Sequence, residues 1–192
     1  MNGLRDGFER TIDYMRISIT DRCNLRCIYC MPPEGLRPIE HKEILRYEEI
    51  IRIVGIAALM GVRKVRITGG EPLIRKNIDR LINPLKCIAG INDLSLTTNG
   101  ILLARYAEEL VAAGLERVNI SLDSLRPDRF REITRGGDLE AVLKGIKAAE
   151  SAGLSPIKIN MVPIRGVNDD EIRDTARLTL RYPYQVSFIE FM

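Results

Sequence analysis

The chain has 192 residues, 45% of them hydrophobic, so it is long enough to bury one sizeable core and is neither disordered nor a small disulfide scaffold. Its 29 basic and 26 acidic side chains leave a net charge of +3, which is too weak to indicate a nucleic-acid or membrane partner. No apolar run approaches the ~20 residues that span a bilayer, and the charged N-terminus lacks the apolar core of a secretory signal. We therefore predict a cytoplasmic protein, in which four cysteines favour metal or redox chemistry over disulfides.

A strand–helix unit repeats along the chain. At four places a glycine precedes an alternating, strand-like stretch, where it suits the left-handed residue that ends a helix: Gly61, Gly90, Gly114 and Gly153. With strands over residues 15–20 and 186–192, the pattern predicts six strands joined by five helical crossovers. Apolar faces at helical spacing cover residues 50–58, 103–111 and 139–149. Alternating strands and helices indicate a parallel sheet, either open and doubly wound or part of a (β/α) barrel.

The alternation within the strands favours the barrel. Strands covered by helices on both faces are nearly all apolar, whereas these are apolar on one face only. The polar parity holds Arg16, Ser18, Thr20, Lys64, Arg66, Thr68, Ser95, Thr97, Asn99, Asn119, Ser121, Asp123, Lys158, Asn160, Glu190 and Met192. A polar, ligand-holding interior explains this pattern, and a sheet with one solvated face is the alternative. Six strands do not complete an eight-stranded barrel, so we predict an α/β fold with a partial (β/α) TIM-type barrel, one core domain over residues 1–192 of a longer protein.

Three of the four cysteines lie directly after the first strand, in the array Cys23-x-x-x-Cys27-x-x-Cys30. Three thiolates on one short loop can hold three corners of a [4Fe–4S] cluster and leave the fourth iron open and reactive. The loop follows the carboxyl end of a strand, which is the active face of barrel enzymes. The alternatives are a zinc site completed by Cys87 or His41, a disulfide, and an electron-transfer cluster, which needs a fourth cysteine nearby.

The cysteine array, together with Thr68-Gly69-Gly70-Glu71-Pro72 after the second strand, resembles the radical SAM superfamily, named for S-adenosylmethionine (SAM). Longer segments resemble the GTP 3′,8-cyclase (MoaA) family within it, which performs the first step of molybdenum cofactor biosynthesis. These segments are residues 10–23, 66–73, 97–100, 119–125 and 188–192. That family also carries a second three-cysteine cluster in its C-terminal part, which these 192 residues do not contain.

The resemblance implies a radical SAM lyase that binds a [4Fe–4S] cluster and SAM and acts on GTP through a 5′-deoxyadenosyl radical. It assigns the cluster to Cys23, Cys27 and Cys30. It assigns SAM contacts to Tyr29, Gly70, Ser121 and Met192. It assigns GTP contacts to Arg16, Arg66, Thr97 and Lys158. The resemblance implies an electron donor as a partner, and it implies neither a nucleic acid nor a membrane. It leaves open whether the protein forms a homodimer and whether this chain alone has full activity.

Inward-facing cations give a separate argument for an anionic ligand. Arg16, Arg66 and Lys158 come from separate strands and repel one another unless an anion lies between them. A triphosphate is such an anion, and arginine offers it two parallel donors. The structural alternative is pairing with Asp123 and Glu190 on the same parity.

The glycine-rich segment also has two interpretations. Gly69 and Gly70 let the backbone approach SAM closely. Glu71 either contacts the SAM ammonium or serves as a carboxylate at a helix N-terminus. At the level of function, two alternatives stay open: radical SAM chemistry on a peptide or other small molecule, and a non-catalytic metal-binding fragment.

Overall fold

The computed structural model describes residues 3–191, apart from the side chain of residue 41, and its framework is a six-stranded sheet. The strands are β1 (Tyr14–Ser18), β2 (Lys64–Thr68), β3 (Asp93–Thr98), β4 (Arg117–Ser121), β5 (Ile157–Met161) and β6 (Tyr184–Phe188). All neighbours pair in parallel, and their order across the sheet is their order along the chain. A doubly wound sheet reverses its strand order part-way across, so the sequential order confirms the predicted partial barrel.

Six helices fill the five crossovers because the connection from β4 to β5 contains two of them. The helices are α1 (Tyr47–Leu59), α2 (Asp79–Lys86), α3 (Leu103–Ala112), α4 (Pro127–Thr134), α5 (Leu139–Ser151) and α6 (Ile172–Arg181). Local sequence fixes their ends: the Asp138 side chain caps α5 by accepting from the Glu140 N–H at 2.9 Å. The four glycines predicted to follow helices all have left-handed φ values, between 92° and 106°. None of the helices within residues 3–191 has the length and apolar character needed to cross a bilayer.

The apolar parity of the strands packs beneath the helices, as predicted. Val65, Leu96 and Ile120 are fully buried there, in one continuous core with the apolar stripes of α1, α3 and α5. Burial of apolar surface stabilises this layer by roughly 25 cal/mol per Å². The helices thereby cover one face of the sheet and leave the other face to the polar side chains.

The polar side chains of the strands lie on the opposite, inner face of the sheet. The register between the strands aligns these side chains in rows across the sheet. The first row is Arg16, Arg66, Ser95 and Arg117. The second row is Thr97, Asn119 and Lys158. Paired residues of parallel strands project to the same face, so the four predicted GTP residues, from four different strands, share one surface.

The last strand differs from its prediction. β6 ends two residues before Glu190, so Glu190 does not carry the inner face, and Met192 lies outside the described residues. The inner face of β6 instead holds Gln185, in register with Lys158, and Ser187. Phe188 and Ile189 are adjacent apolar residues, so the alternation over residues 189–191 is out of phase with that of β6, and a pattern that includes Glu190 assigns the wrong parity to the strand. β1 likewise ends at residue 18 rather than at residue 20.

Candidate functional site

The cysteine loop leaves the carboxyl end of β1 and is braced by the end of α4. The Ile28 N–H donates to the Ile133 carbonyl at 2.9 Å. Arg135, in the left-handed conformation with φ 52°, donates to the carbonyls of Arg26 at 2.9 Å and Met31 at 2.6 Å. These contacts fix the backbone on either side of the second and third cysteines.

The three thiols of this loop lie in different environments. Cys23 and Cys27 are half-buried, whereas Cys30 is exposed, and the Cys23 sulfur accepts from the Leu25 N–H at 3.4 Å. Burial raises the pKa of Cys23. Burial, together with the nearby Asp123, raises the pKa of Cys27 to about 12. Both thiols are therefore protonated at neutral pH in the metal-free chain, and metal binding must displace those protons.

The donor set fits a [4Fe–4S] cluster better than it fits the alternatives. No three His, Cys, Asp or Glu side chains of the described residues converge on a single metal ion, so a zinc site finds no support there. Cys87 is exposed and follows α2, which places it at the amino ends of the strands, opposite the cysteine loop. All four cysteines are free thiols, and the His41 side chain lies outside the described residues. Three thiols without a nearby fourth leave one corner of a cubane cluster for a ligand that is not protein.

The glycine-rich segment after β2 packs against the start of the cysteine loop. The Gly70 N–H donates to the Thr20 carbonyl at 2.7 Å. A Cβ atom on Gly70 would stand 2.1 Å from the carbonyl oxygen of Arg22, and one on Gly69 would stand 2.5 Å from that of Thr20. The contact between the two loops therefore requires both glycines, independently of any approach to SAM.

Glu71, the next residue, is fully buried and already hydrogen-bonded by the protein. Its carboxylate accepts from the Leu73 N–H at 2.9 Å, the Thr98 hydroxyl at 2.8 Å and the Asn99 N–H at 2.6 Å. Burial raises the pKa of Glu71, while the three donors oppose that shift. The carboxylate caps the short turn after β2 and joins it to the end of β3, so the structure supports the helix-terminus interpretation of this residue.

The predicted SAM residues within the described chain lie at the carboxyl ends of the strands. Tyr29 donates its hydroxyl to Asp123 at 2.6 Å, which ties the cysteine loop to the segment after β4. Burial, with Asp123 beside it, raises the pKa of Tyr29, so the phenol stays a donor. Gly70 follows β2 and Ser121 ends β4. Their contacts with SAM, and that of Met192 outside the described residues, stay predictions.

The predicted GTP residues share the inner face, and within residues 3–191 their cations lack carboxylate partners. None of the ion pairs within residues 3–191 involves Arg16, Arg66 or Lys158. Asp123 is occupied instead by Tyr29 and by the Val162 N–H. The described residues thus do not realise the alternative in which carboxylates neutralise these cations.

Two ion pairs at the amino ends of the strands were not predicted from the sequence. Asp93 and Arg117 form a two-pronged ion pair at 2.6 and 2.7 Å, and Lys64 pairs with Asp13 at 2.9 Å. Asp93 and Arg117 each begin a strand, on adjacent strands and with opposite charge, which is the signal that could have revealed them. Because Arg117 shares the first row with Arg16 and Arg66, its ion pair with Asp93 neutralises one of the three arginines of that row.

Asn119 belongs to the predicted polar face, but no ligand contact was predicted for it. It is fully buried in the second row, where its Nδ2 donates to the Leu96 carbonyl at 3.3 Å. Its Oδ1 has no partner among the described residues. A buried acceptor without a partner costs about 1–3 kcal/mol, so Asn119 lowers the stability of this row.

Comparison with known proteins decides the family. A model of the radical SAM superfamily matches residues 17–179. The chain belongs to the radical SAM superfamily. Membership implies a [4Fe–4S] cluster and SAM as cofactors, in agreement with the donor set of the cysteine loop.

Solved structures agree with this radical SAM assignment at the level of fold. Methylornithine synthase superposes with a TM-score of 0.73 at 15% identity, over 93% of this chain and 53% of that one. Streptococcus suis SuiB, bound to its precursor peptide SuiA, gives a TM-score of 0.73 at 22% identity, over 94% of this chain and 39% of that one. At such identities the likeness concerns the fold alone.

Curated radical SAM relatives are much closer in sequence. The GTP 3′,8-cyclase of Heliobacterium modesticaldum is 59% identical over 187 residues, which cover 97% of this chain and 57% of that protein. The GTP 3′,8-cyclase of Clostridium botulinum is 58% identical over 187 residues, 97% of this chain and 59% of that protein. The chain thus spans less than three fifths of the length of these relatives.

Proposed function

We propose that this chain is the cluster- and SAM-binding part of a GTP 3′,8-cyclase, a lyase of molybdenum cofactor biosynthesis. That enzyme converts GTP to (8S)-3′,8-cyclo-7,8-dihydroguanosine 5′-triphosphate. The observation that carries the proposal is the inner face, where Arg16, Arg66 and Lys158 lack carboxylate partners within residues 3–191. Three such cations on one face of the sheet suit a polyanion such as a triphosphate. The cyclase relatives at 58–59% identity support the same substrate.

In this proposal Cys23, Cys27 and Cys30 hold the cluster, and its fourth iron stays open to SAM. When bound, the reduced cluster and SAM supply the 5′-deoxyadenosyl radical that removes the 3′ hydrogen of GTP. The reaction requires an electron donor as a further partner. The free state of all four cysteines supports a cytoplasmic location.

The two rows of the inner face determine the orientation of GTP along the strands. The first row, with Arg16 and Arg66, lies deeper than the second row by one pleat of the strands. Binding of the triphosphate at the first row therefore directs the ribose toward the carboxyl ends, where the cysteine loop lies. Thr97 in the second row then supplies a hydroxyl to the nucleoside. The chain's own residues thus bind and orient the substrate.

Anaerobic SAM cleavage tests the radical SAM part of the proposal. The chain is loaded with iron and sulfide, reduced with dithionite, and assayed for 5′-deoxyadenosine released from SAM. Alanine at Cys23, Cys27 or Cys30 should abolish both iron loading and cleavage, whereas Cys87→Ala should retain them. A chain with a filled cluster that releases no 5′-deoxyadenosine would contradict the proposal and favour a non-catalytic metal-binding fragment.

GTP binding tests the substrate. Arg66→Ala should weaken GTP binding about tenfold or more, since charged hydrogen bonds to phosphate are lost. Arg80→Ala, on the exposed face of α2, is the matched control and should leave the affinity unchanged. Equal GTP affinity in the wild type and in Arg66→Ala would remove the triphosphate argument. SAM cleavage without GTP binding would favour a peptide or other small molecule as substrate.

A further inference from the structure

The Arg66 side chain lies between two uncharged neighbours on the inner face. Its guanidinium carbon stands 5.3 Å from the centre of the Tyr14 ring. Its Nε donates to the Ser95 hydroxyl at 3.4 Å. Tyr14 and Ser95 lie on β1 and β3, on either side of the strand that carries Arg66.

The surroundings of this guanidinium are cationic. Burial lowers the pKa of Arg66, and the neighbouring charges of Arg117 and Arg16 lower it further, although Tyr14 and Asp93 oppose the shift. Asp93 is already committed to Arg117 through two short hydrogen bonds. Asp93 therefore forms no ion pair with Arg66, and the electron-rich face of the Tyr14 ring accommodates the charge.

Among the described residues, the two terminal nitrogens of the Arg66 guanidinium remain free to donate hydrogen bonds. Neither terminal nitrogen of Arg66 has a hydrogen-bond partner among the described residues, because only Nε is engaged, by Ser95. Two free terminal N–H₂ groups can donate in parallel to two phosphate oxygens. A carboxylate partner would have occupied the same donors, whereas an aromatic face and a hydroxyl leave them free.

We propose that Tyr14 and Ser95 are positioning residues that hold the Arg66 guanidinium charged, with its two terminal nitrogens presented to the triphosphate of the substrate. This inference rests on the proposed function, since it assigns Arg66 to a triphosphate. It adds two residues that do not themselves contact the ligand. The ring face restrains the plane of the guanidinium, and the hydroxyl restrains its rotation about the side-chain axis.

A double-mutant cycle on the reconstituted chain tests the proposal, with the dissociation constant of GTP measured by anaerobic calorimetry. Tyr14→Leu should weaken GTP binding about 3- to 30-fold, whereas Tyr14→Phe, which keeps the aromatic face, should stay within about twofold of the wild type. In an Arg66→Ala background, Tyr14→Leu should have no further effect. Ser95→Ala should show the same dependence on Arg66 with a smaller loss.

Several outcomes would overturn the proposal. These are wild-type affinity in Tyr14→Leu, an equal loss in both backgrounds, and a loss in Tyr14→Phe as large as that in Tyr14→Leu. Inorganic tripolyphosphate is the second probe, because it reports on the anion site alone. If wild type binds tripolyphosphate with the same Tyr14 dependence but does not bind GTP, the positioning role stands and the GTP proposal fails. If the wild type binds neither probe, both proposals fail.

Discussion

The backbone N–H of Asn99 donates to the carboxylate of Glu71 at 2.6 Å, which joins the segment after β2 to the segment after β3. The Asn99 side chain continues this connection, because its Nδ2 donates to the side-chain oxygen of Asn24 at 2.7 Å and lies 3.9 Å from the Cys23 sulfur. The ends of three strands are thereby linked through one buried carboxylate and one amide. The shape of the cysteine loop depends on residues far from it in the sequence.

Glu71→Gln should destabilise the fold by about 1–3 kcal/mol. The new amide group can accept through only one atom and turns an N–H₂ group toward donors that the carboxylate had satisfied. Urea unfolding of the metal-free chain measures the change. Glu108→Gln, on the exposed face of α3, is the control and should change the free energy of unfolding by less than about 0.5 kcal/mol. Equal stabilities of the two variants would contradict the prediction.

Gly70→Ala and Gly55→Ala should shift stability in opposite directions. At Gly70 the added Cβ meets the backbone of the cysteine loop at 2.1 Å, so that loop must move and iron loading should fall with it. At Gly55, inside α1, nothing lies within 4 Å of the added Cβ. Alanine there should therefore stabilise the chain by about 0.5–1 kcal/mol. Thermal unfolding and iron content of the two variants check both signs, and a Gly70→Ala chain with wild-type stability and iron content would contradict the proposed role of the loop contact.

Cys27 should react slowly with iodoacetamide in the folded, metal-free chain. With its pKa raised to about 12, only about one thiol in a thousand is ionised at pH 9, and the thiolate is the reactive form. Labelling measured by mass spectrometry should rise steadily from pH 8 to about pH 11, and it should accelerate sharply when urea unfolds the chain. Exposed Cys87 in the same digest provides the reference. A plateau of Cys27 labelling near pH 9 in the folded chain would be the opposite result.

Asp93→Asn should weaken the fold and tighten GTP binding. Asparagine keeps one acceptor oxygen, so Arg117 loses one of its two short hydrogen bonds and the neutralising charge, at a cost of about 1–3 kcal/mol in the free energy of unfolding. The freed cation then adds to Arg16 and Arg66, so GTP affinity should rise and fall more steeply with salt. Asp13→Asn makes the same charge change at the more exposed pair with Lys64 and should cost about 0–1 kcal/mol. Weaker GTP binding in Asp93→Asn than in the wild type would count against the electrostatic account.

The sequence predicted the fold well because two simple signals reinforce each other. Helical and strand-like stretches alternate, and each strand alternates apolar with polar side chains, so the number of strands, their parallel order and the shared inner face all followed. The bounds of β6 did not follow. Residues 189–191 alternate again, but out of phase with β6, and side-chain pattern alone does not show where backbone pairing between neighbouring strands stops.

The shared face of the candidate residues was predictable from the sequence, but their pairings were not. Composition and spacing placed Asp123 and three cations on one face, yet the carboxylate is taken by Tyr29, from a loop 94 residues away in the chain. Asp93 and Arg117 went unnoticed because an ion pair depends on the register between two strands, which the sequence does not state. To predict the distances between side chains, one needs both the register of the strands and the conformation of the loops. The periodicity of the sequence gives neither of them.

The strand order has a consequence for how the polypeptide is made. From β2 onward, each strand pairs with the strand translated just before it. A newly synthesised β/α unit can therefore pair with the edge strand of the sheet formed so far. Assembly then proceeds in the direction of synthesis, and every pairing step closes only the loop of its own crossover. Among the six described strands, β1 and the cysteine loop are synthesised before the strands that complete the sheet.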